Sequence, residues 1–418
     1  MLRNEQALSG RHYFPNLLGL RFWMALTVIY RHTEEVKFMR HIQHDVHSIT
    51  KFHPVGFYPM LMFFTLSGFL ITYQLEVEKV KTSSINLLKF YKNRALRILP
   101  LFYLSMFVYW VVLPYSPVAD YYNSVFFKPL IPGFEVVYNI PKWIYFVLSM
   151  ILLPHLAYMI SYINGRAWIY GVQHWSVGVE EIFYIFWPIL WKRMKNFKSF
   201  ILKGFGSYYA VLGGTVLMYF LLRKAFHLEW LNHSAMVVIL FVIFSNSFCF
   251  FIGAIGIYLY LYRNDIIEKY VTGTSALFCF IIILLSMFGD GLLPVLEGKT
   301  YLAPLYYFLK MFSIEAPVIA KEIVCFCYML CILYLLKTEK KIPMFEHPFF
   351  VYLGKITYAV YLVHFAVIVL VMYVLEKLNL HHNFLEFNIL QYTFTIVLTF
   401  GISALLYEFY EKKFLALR

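Results

Sequence analysis

The chain has 418 residues, of which 61% are hydrophobic, 21% aromatic and only 14% charged, with a mean hydropathy of +0.66. A soluble domain carries about 25% charged residues, so this composition excludes one and predicts a polytopic, all-α membrane bundle, because helices satisfy their own backbone inside lipid. The net charge of +13 is spread over short loops between apolar stretches, where it orients a chain in a bilayer. The lipid bilayer is therefore the expected partner, and no nucleic acid is.

Met1 to Asn16 is polar and shows no cleavable signal pattern. The first apolar stretch, Leu17 to Phe38, is long enough to span and is expected to remain as a signal anchor. It carries Arg21 and His32. Eleven helical positions turn through about 1100°, three turns plus roughly 20°, which puts the two groups on one face about 16 Å apart along the axis. Ionisable groups inside a span usually face the bundle interior, where they serve an ion path, a proton relay or a substrate site. The plainer alternative is that Arg21 snorkels to the headgroups and His32 is a satisfied polar group near the far interface.

Further apolar stretches fall near 56–75, 98–114, 143–161, 177–191, 207–222, 236–262, 274–289, 318–336, 351–375 and 389–407. Basic residues crowd the loops 76–97 and 192–203, which places both in the cytoplasm and requires an even number of crossings between them. The segment 143–161, with Pro154 and His155 inside it and Pro141 and Gly165 flanking it, is read as entering and leaving on the outer side. This yields ten spans plus one re-entrant or interfacial segment, with both termini cytoplasmic. Residues 1–418 are expected to form one integral-membrane domain, with no appended soluble domain expected.

In the second span, Ser67 and Gly68 permit close backbone approach, and helix packing alone would account for them. Arg94 and Arg97 stand at i and i+3 on one helical face. Such a fork suits a phosphate, although orientation in the membrane needs only the charge. Glu180 and Glu181 open the fourth span, where a helix N-terminus favours carboxylates. They point about 100° apart, so one of them faces the interior near the depth of His32, as an acid holding a base. The outer loop 290–317 is a candidate lid. Tyr358, Tyr361 and His364, at i, i+3 and i+6, form a polar stripe that reaches a cavity or, as an alternative, belongs to the interfacial aromatic belt. The five cysteines have no zinc-ligand spacing and read as small buried apolar residues, so neither a metal site nor a disulfide framework is expected.

Taken together these segments resemble the type 3 family of membrane-bound acyltransferases, found in bacterial inner membranes, which O-acylate glycans and other acceptors. The family's first-helix Arg, ten residues and His is met by Arg21 and His32; its F-F-x-x-S-G-F-L by Phe63 to Leu70; and its R-x-x-R-I-x-P by Arg94, Arg97, Ile98 and Pro100. Its W-S-x-x-x-E-E is met by Trp175, Ser176, Glu180 and Glu181, and its Y-x-x-Y-L-x-H by Tyr358, Tyr361, Leu362 and His364. The chain departs from the pattern at Leu17-Leu18, where the family often has an acidic residue, and at Ile182, usually Gln. Some members carry a second, esterase-like domain, which is not expected here.

The resemblance implies a cytoplasmic acyl-CoA donor, acetyl-CoA first, used as substrate with no bound cofactor. Its phosphates would be held by Arg21, Arg94 and Arg97, and its thin pantetheine arm is comparable in length with the roughly 16 Å from Arg21 to His32. His32 would be the general base or a transiently acylated residue, with Glu180 or Glu181 as the acid beside it and Glu180 holding its tautomer. Ser67, Trp175, Tyr361 and His364 would contact substrate. The acceptor would be a hydroxyl of an extracytoplasmic or lipid-linked glycan, reached by the membrane domain itself. The competing class is a proton-coupled exporter of a glycan or small anion; no inverted repeat is visible across the two halves.

Overall fold

The computed structural model describes residues 14–40, 42, 57–126, 140–163, 169–194, 197–225, 246–296, 303, 306–307, 318–338, 342–380 and 383–418. Among the described residues the secondary structure is helical throughout. In chain order the helices are α1 (Pro15–Met39), α2 (Phe57–Thr82), α3 (Leu87–Phe107), α4 (Ala119–Asn123), α5 (Lys142–Met150), α6 (Pro154–Ile163), α7 (Trp175–Arg193), α8 (Phe197–Ala225), α9 (Asn246–Tyr262), α10 (Asn264–Tyr270), α11 (Gly273–Leu296), α12 (Val318–Lys337), α13 (Pro343–Glu346), α14 (Pro348–Lys355), α15 (Thr357–Lys377), α16 (Phe384–Leu406) and α17 (Lys412–Leu415).

Among the described residues, four helical stretches are long and apolar enough to cross a membrane: Pro59–Thr82, Leu87–Tyr115, Thr357–Lys377 and Leu385–Leu415. The pair Asn264–Tyr270 and Gly273–Met287, bent by 79°, makes a fifth if it is one span. α1 has the length, 25 residues, but Arg21, Arg31, Glu34, Glu35 and Lys37 deny it an uninterrupted apolar window. The segment 142–163 is broken into α5 and α6, of nine and ten residues, and a crossing helix needs about 20. The break carries Leu152 at φ 63°, and Pro154 at the first position of α6 starts the new helix with φ already set. Residues 236–245 and most of the expected lid 290–317 lie outside the described residues.

The chain divides into two compact units, Met1–Phe14 with Met60–Leu87 and Val179–Lys341, and Pro15–Pro59 with Leu88–Gly178 and Ile342–Arg418. In the first unit the small residues act as spacers. A Cβ on Gly68 of α2 would lie 2.3 Å from the Phe250 carbonyl oxygen of α9, and one on Gly253 2.4 Å from that of Thr65, so the two backbones touch. Phe183 stacks on Phe250 at 4.0 Å. Two buried carboxylates are each held by two donors, as burial requires. Glu76 accepts from Trp191 Nε1 at 2.8 Å and from the Tyr262 hydroxyl; Glu322 accepts from Tyr208 at 2.6 Å and Tyr209 at 2.7 Å.

The second unit is built on α1, an unbroken rod about 37 Å long at 1.5 Å per residue. α13 and α14 lie against its N-terminal half, each across a glycine. A Cβ on Gly354 would fall 1.8 Å from the Leu18 carbonyl oxygen, and one on Gly19 2.0 Å from that of Phe345. Any larger residue at either position would force the helices apart. α15 and α16 complete the wall, with buried Leu362, Phe365, Ile368 and Met372 on α15.

Candidate active site

The C-terminal half of α1 reads Arg31-His32-Thr33-Glu34-Glu35-Val36-Lys37, four charges and a histidine in two turns, and each acidic one is paired. Glu35 is one turn on from both Arg31 and His32. Its Oε2 lies 2.9 Å from His32 Nδ1, and its Oε1 binds the Arg31 guanidinium. A carboxylate can only accept, so Nδ1 carries the proton and Nε2 of the neutral ring carries the lone pair. Glu34 faces another way and pairs with Lys37 at 2.6 Å, the lysine being 1% exposed. Lys37 also donates to Asn388 Oδ1, and Glu34 accepts from the Tyr392 hydroxyl.

His364 of α15 stands beside His32, with ring centres 5.1 Å apart and planes tilted by 37°. Its Nδ1 is 2.7 Å from the Tyr361 carbonyl oxygen, which fixes the proton on Nδ1. The other nitrogen, Nε2, is buried and has no hydrogen-bond partner among the described residues. Phe365 closes on His32 edge-on at 5.7 Å.

This turn of α15 is opened by a side chain from α3's continuation. The Tyr109 hydroxyl donates to the Leu362 carbonyl at 3.0 Å and accepts from the Ala366 amide at 2.9 Å, inserting itself into a helical i→i−4 bond. Gln173 Nε2 also donates to Leu362 O at 3.2 Å.

The approach to α7 is folded against the same turn. Gly171 at φ 66° reverses the chain into a short 3-10 turn, Val172–His174, a conformation that suits glycine. Ser176 donates to the Tyr361 hydroxyl at 2.6 Å, and Tyr361 donates to the Gln173 carbonyl. Trp175 is buried and stacks on Tyr158 at 5.8 Å. Trp175, Tyr361 and His364 thus share one region of the second unit.

Ser67, Glu180 and Glu181 belong to the first unit. Ser67 donates to Glu180, joining two segments 113 residues apart. The role expected of Glu180 on the imidazole is filled at Nδ1 by Glu35, which reaches it along one helix without closing any loop.

Arg21 lies near the N-terminal end of α1. Glu411 is 6% exposed in the π turn Tyr407–Glu411 after α16. Arg94 lies over the ring of Phe90, one turn back on its own helix, at 5.5 Å. Arg21 and His32 occupy one unbroken helix, so their separation is about 16 Å along the axis.

Glu35, Arg31 and Tyr109 were not singled out from the sequence. For Glu35 and Arg31 the signal was present in the i, i+3 and i, i+4 spacing around His32. Nothing local marks Tyr109.

A family model described as an acyltransferase domain matches residues 14–408. O-acetyltransferase OatA of Staphylococcus aureus (strain NCTC 8325 / PS 47) is 27% identical over 195 residues, covering 45% of this chain and 26% of that protein. A protein of Staphylococcus aureus (strain COL), provisionally named an O-acetyltransferase, is 24% identical over 414 residues, covering 96% of this chain and 57% of that protein. The match thus spans between about a quarter and somewhat over half of these curated relatives. No solved structure matches.

Proposed function

The chain belongs to the type 3 family of membrane-bound acyltransferases, and we propose that it is an O-acetyltransferase of the bacterial plasma membrane. In this reading it moves an acetyl group from cytoplasmic acetyl-CoA to a hydroxyl of an extracytoplasmic or lipid-linked glycan. The relatives' names support the reaction class. The observation that carries the mechanism is the Arg31–Glu35–His32 chain, held on the same rigid helix as Arg21.

Cations at the inner end suit the donor. Arg21, Arg97 and Lys355 offer charge-assisted bonds to its phosphates, and the length of α1 between Arg21 and His32 matches a pantetheine arm laid along it. The thioester then reaches His32 while the nucleotide stays below.

The acceptor hydroxyl gives its proton to His32 Nε2 as its oxygen attacks the thioester carbonyl carbon. The new C–O bond forms, the C–S bond breaks, and the CoA thiolate takes the proton from the imidazolium. Glu35 holds the charged ring through Nδ1–H, and Arg31 holds Glu35. His364 Nε2, an acceptor atom beside the base, orients an acceptor hydroxyl.

The test is labelled acetyl-CoA supplied to membranes bearing His32→Ala. With the protein inserted at wild-type level, acetylation should fall by about 10²- to 10⁴-fold, the range for a lost general base. Transfer at wild-type rate, or export that ignores acyl-CoA, would sink the reading.

A further inference from the structure

α16 is the reverse of a helix in a soluble core. Its large apolar side chains Phe394, Val397, Leu398 and Leu405 are exposed, as suits contact with lipid. Its buried face carries Gln391, Thr395, Thr399 and Ser403, each 0% exposed, and their spacing of four puts them in one row along the helix. Gln391 Nε2 donates to Ile368 O of α15 at 3.4 Å and to Thr395 Oγ1 at 3.2 Å, so the row meets α15. Gln391 Oε1, Thr399 Oγ1 and Ser403 Oγ are buried with no hydrogen-bond partner among the described residues. Small residues by themselves would serve close helix packing. Three unmatched polar atoms in one row are a cost that packing does not explain.

Contacts with α1 fix the level of this row. The rings of Phe22 and Phe400 are centred 5.3 Å apart and those of Tyr30 and Tyr392 5.6 Å apart, and Lys37 donates to Asn388. Each step forward on α1 is thus a step back on α16, and the two helices are antiparallel. Arg21, one residue before Phe22, stands within a turn of the level of Ser403, and His32, two residues after Tyr30, at that of Gln391. From Gln391 to Ser403 the row is about 18 Å long, so it covers the interval of about 16 Å between Arg21 and His32.

An occupant that fits such a row is thin and extended, with hydrogen-bonding groups at intervals along an otherwise apolar chain. A pantetheine arm, with its amides and hydroxyl, has that chemistry. We propose that the row Gln391–Ser403 is the polar side of the passage in which the donor's arm lies, and that Thr399 and Ser403 accept hydrogen bonds from its amide N–H groups. This rests on the donor reading given above. α1 supplies the two ends, Arg21 and His32, and α16 the length between them, with Gln391 at the thioester end.

The experiment is a titration of the purified full chain in nanodiscs with CoA and, separately, with adenosine 3′,5′-bisphosphate, which carries nucleotide phosphates without the arm. The wild type is compared with Thr399→Val, with Ser403→Ala and with the double variant. CoA binding should weaken about fivefold for each single change, near the worth of one neutral hydrogen bond, and about twentyfold for the pair, while the bisphosphate binds all four proteins alike. Thr399→Val should unfold no earlier than the wild type, because its hydroxyl has no partner in the structure to lose. Variants that bind CoA as tightly as the wild type overturn the passage and leave the donor site standing. Variants that lose CoA and the bisphosphate equally also overturn it, since the loss then lies outside the arm. If one variant fails to fold, the others decide by the same measure. A wild type that does not bind CoA overturns the donor reading, and this proposal with it.

Discussion

The imidazoles of His32 and His364 lie 5.1 Å apart, centre to centre, although 332 positions separate them in the chain. Each ring has its Nδ1 committed to an acceptor on its own helix, the Glu35 carboxylate for one and the Tyr361 carbonyl for the other. Both therefore keep a lone pair on Nε2 when neutral, so the site holds two ring nitrogens able to accept a hydrogen bond. His32, backed by a carboxylate, is suited to take a full proton. His364, backed by a neutral carbonyl, is suited to orient one. Replacing His364 by Gln should lower kcat by about 10- to 100-fold, less than a lost general base costs, and leave the donor KM unchanged. Steady-state transfer with varied acetyl-CoA checks this.

Arg31 and Glu35 are a mostly buried pair, so breaking it from one side is costly. Glu35→Leu leaves the Arg31 guanidinium, 7% exposed, without its carboxylate and should cost about 3 kcal/mol. The double change Arg31→Met with Glu35→Leu should recover most of that stability but not the activity, because His32 still lacks its acid. Thermal unfolding and the transfer assay on the single and double variants separate the two effects.

Arg94 and Arg97 are equivalent by sequence spacing but not by surroundings. Arg97→Ala should raise the donor KM by about tenfold, near the worth of one charge-assisted bond, and Arg94→Ala by much less. Equal effects would show that the Phe90 contact does not set Arg94 apart from the donor site.

The Tyr109 hydroxyl is the inserted group that opens the turn before Ala366. Tyr109→Phe should cost about 1 kcal/mol and lower kcat by shifting His364. Hydrogen exchange should report a changed rate at the Ala366 amide, whose partner in the structure is that hydroxyl.

Gly354→Ala places a Cβ against the Leu18 carbonyl and should destabilise the second unit by about 2–3 kcal/mol, as overpacking does. Gly401→Ala, with no atom within 4 Å of the added carbon, should be neutral or stabilising by up to about 1 kcal/mol. Fluorescence-detected size exclusion after graded heating compares the two.

Much of this arrangement is legible from the chain alone because it depends on helical period. Arg21 and His32 share a face because eleven residues bring a helix back nearly to its starting angle, and Ser67-Gly68 mark a close contact because nothing bulky stands there. The small-residue signal at Gly68 led to a backbone contact with α9, but the partner helix was not named by anything near it. The pairing of His32 with Glu35 was equally local and followed from the same period.

Composition and helical repeat determined that this protein is a membrane bundle of helices, and which side chains share a stripe, because both follow from hydration and backbone geometry within one segment. Only the tertiary structure decided that His364 stands beside His32 and that Tyr109 bonds to both ends of the turn, Leu362 to Ala366, that carries it. Those neighbours come from helices tens to hundreds of residues apart. Which of several apolar faces pack together is settled by the summed fit of many side chains and glycine contacts, and no single stretch of sequence carries that sum.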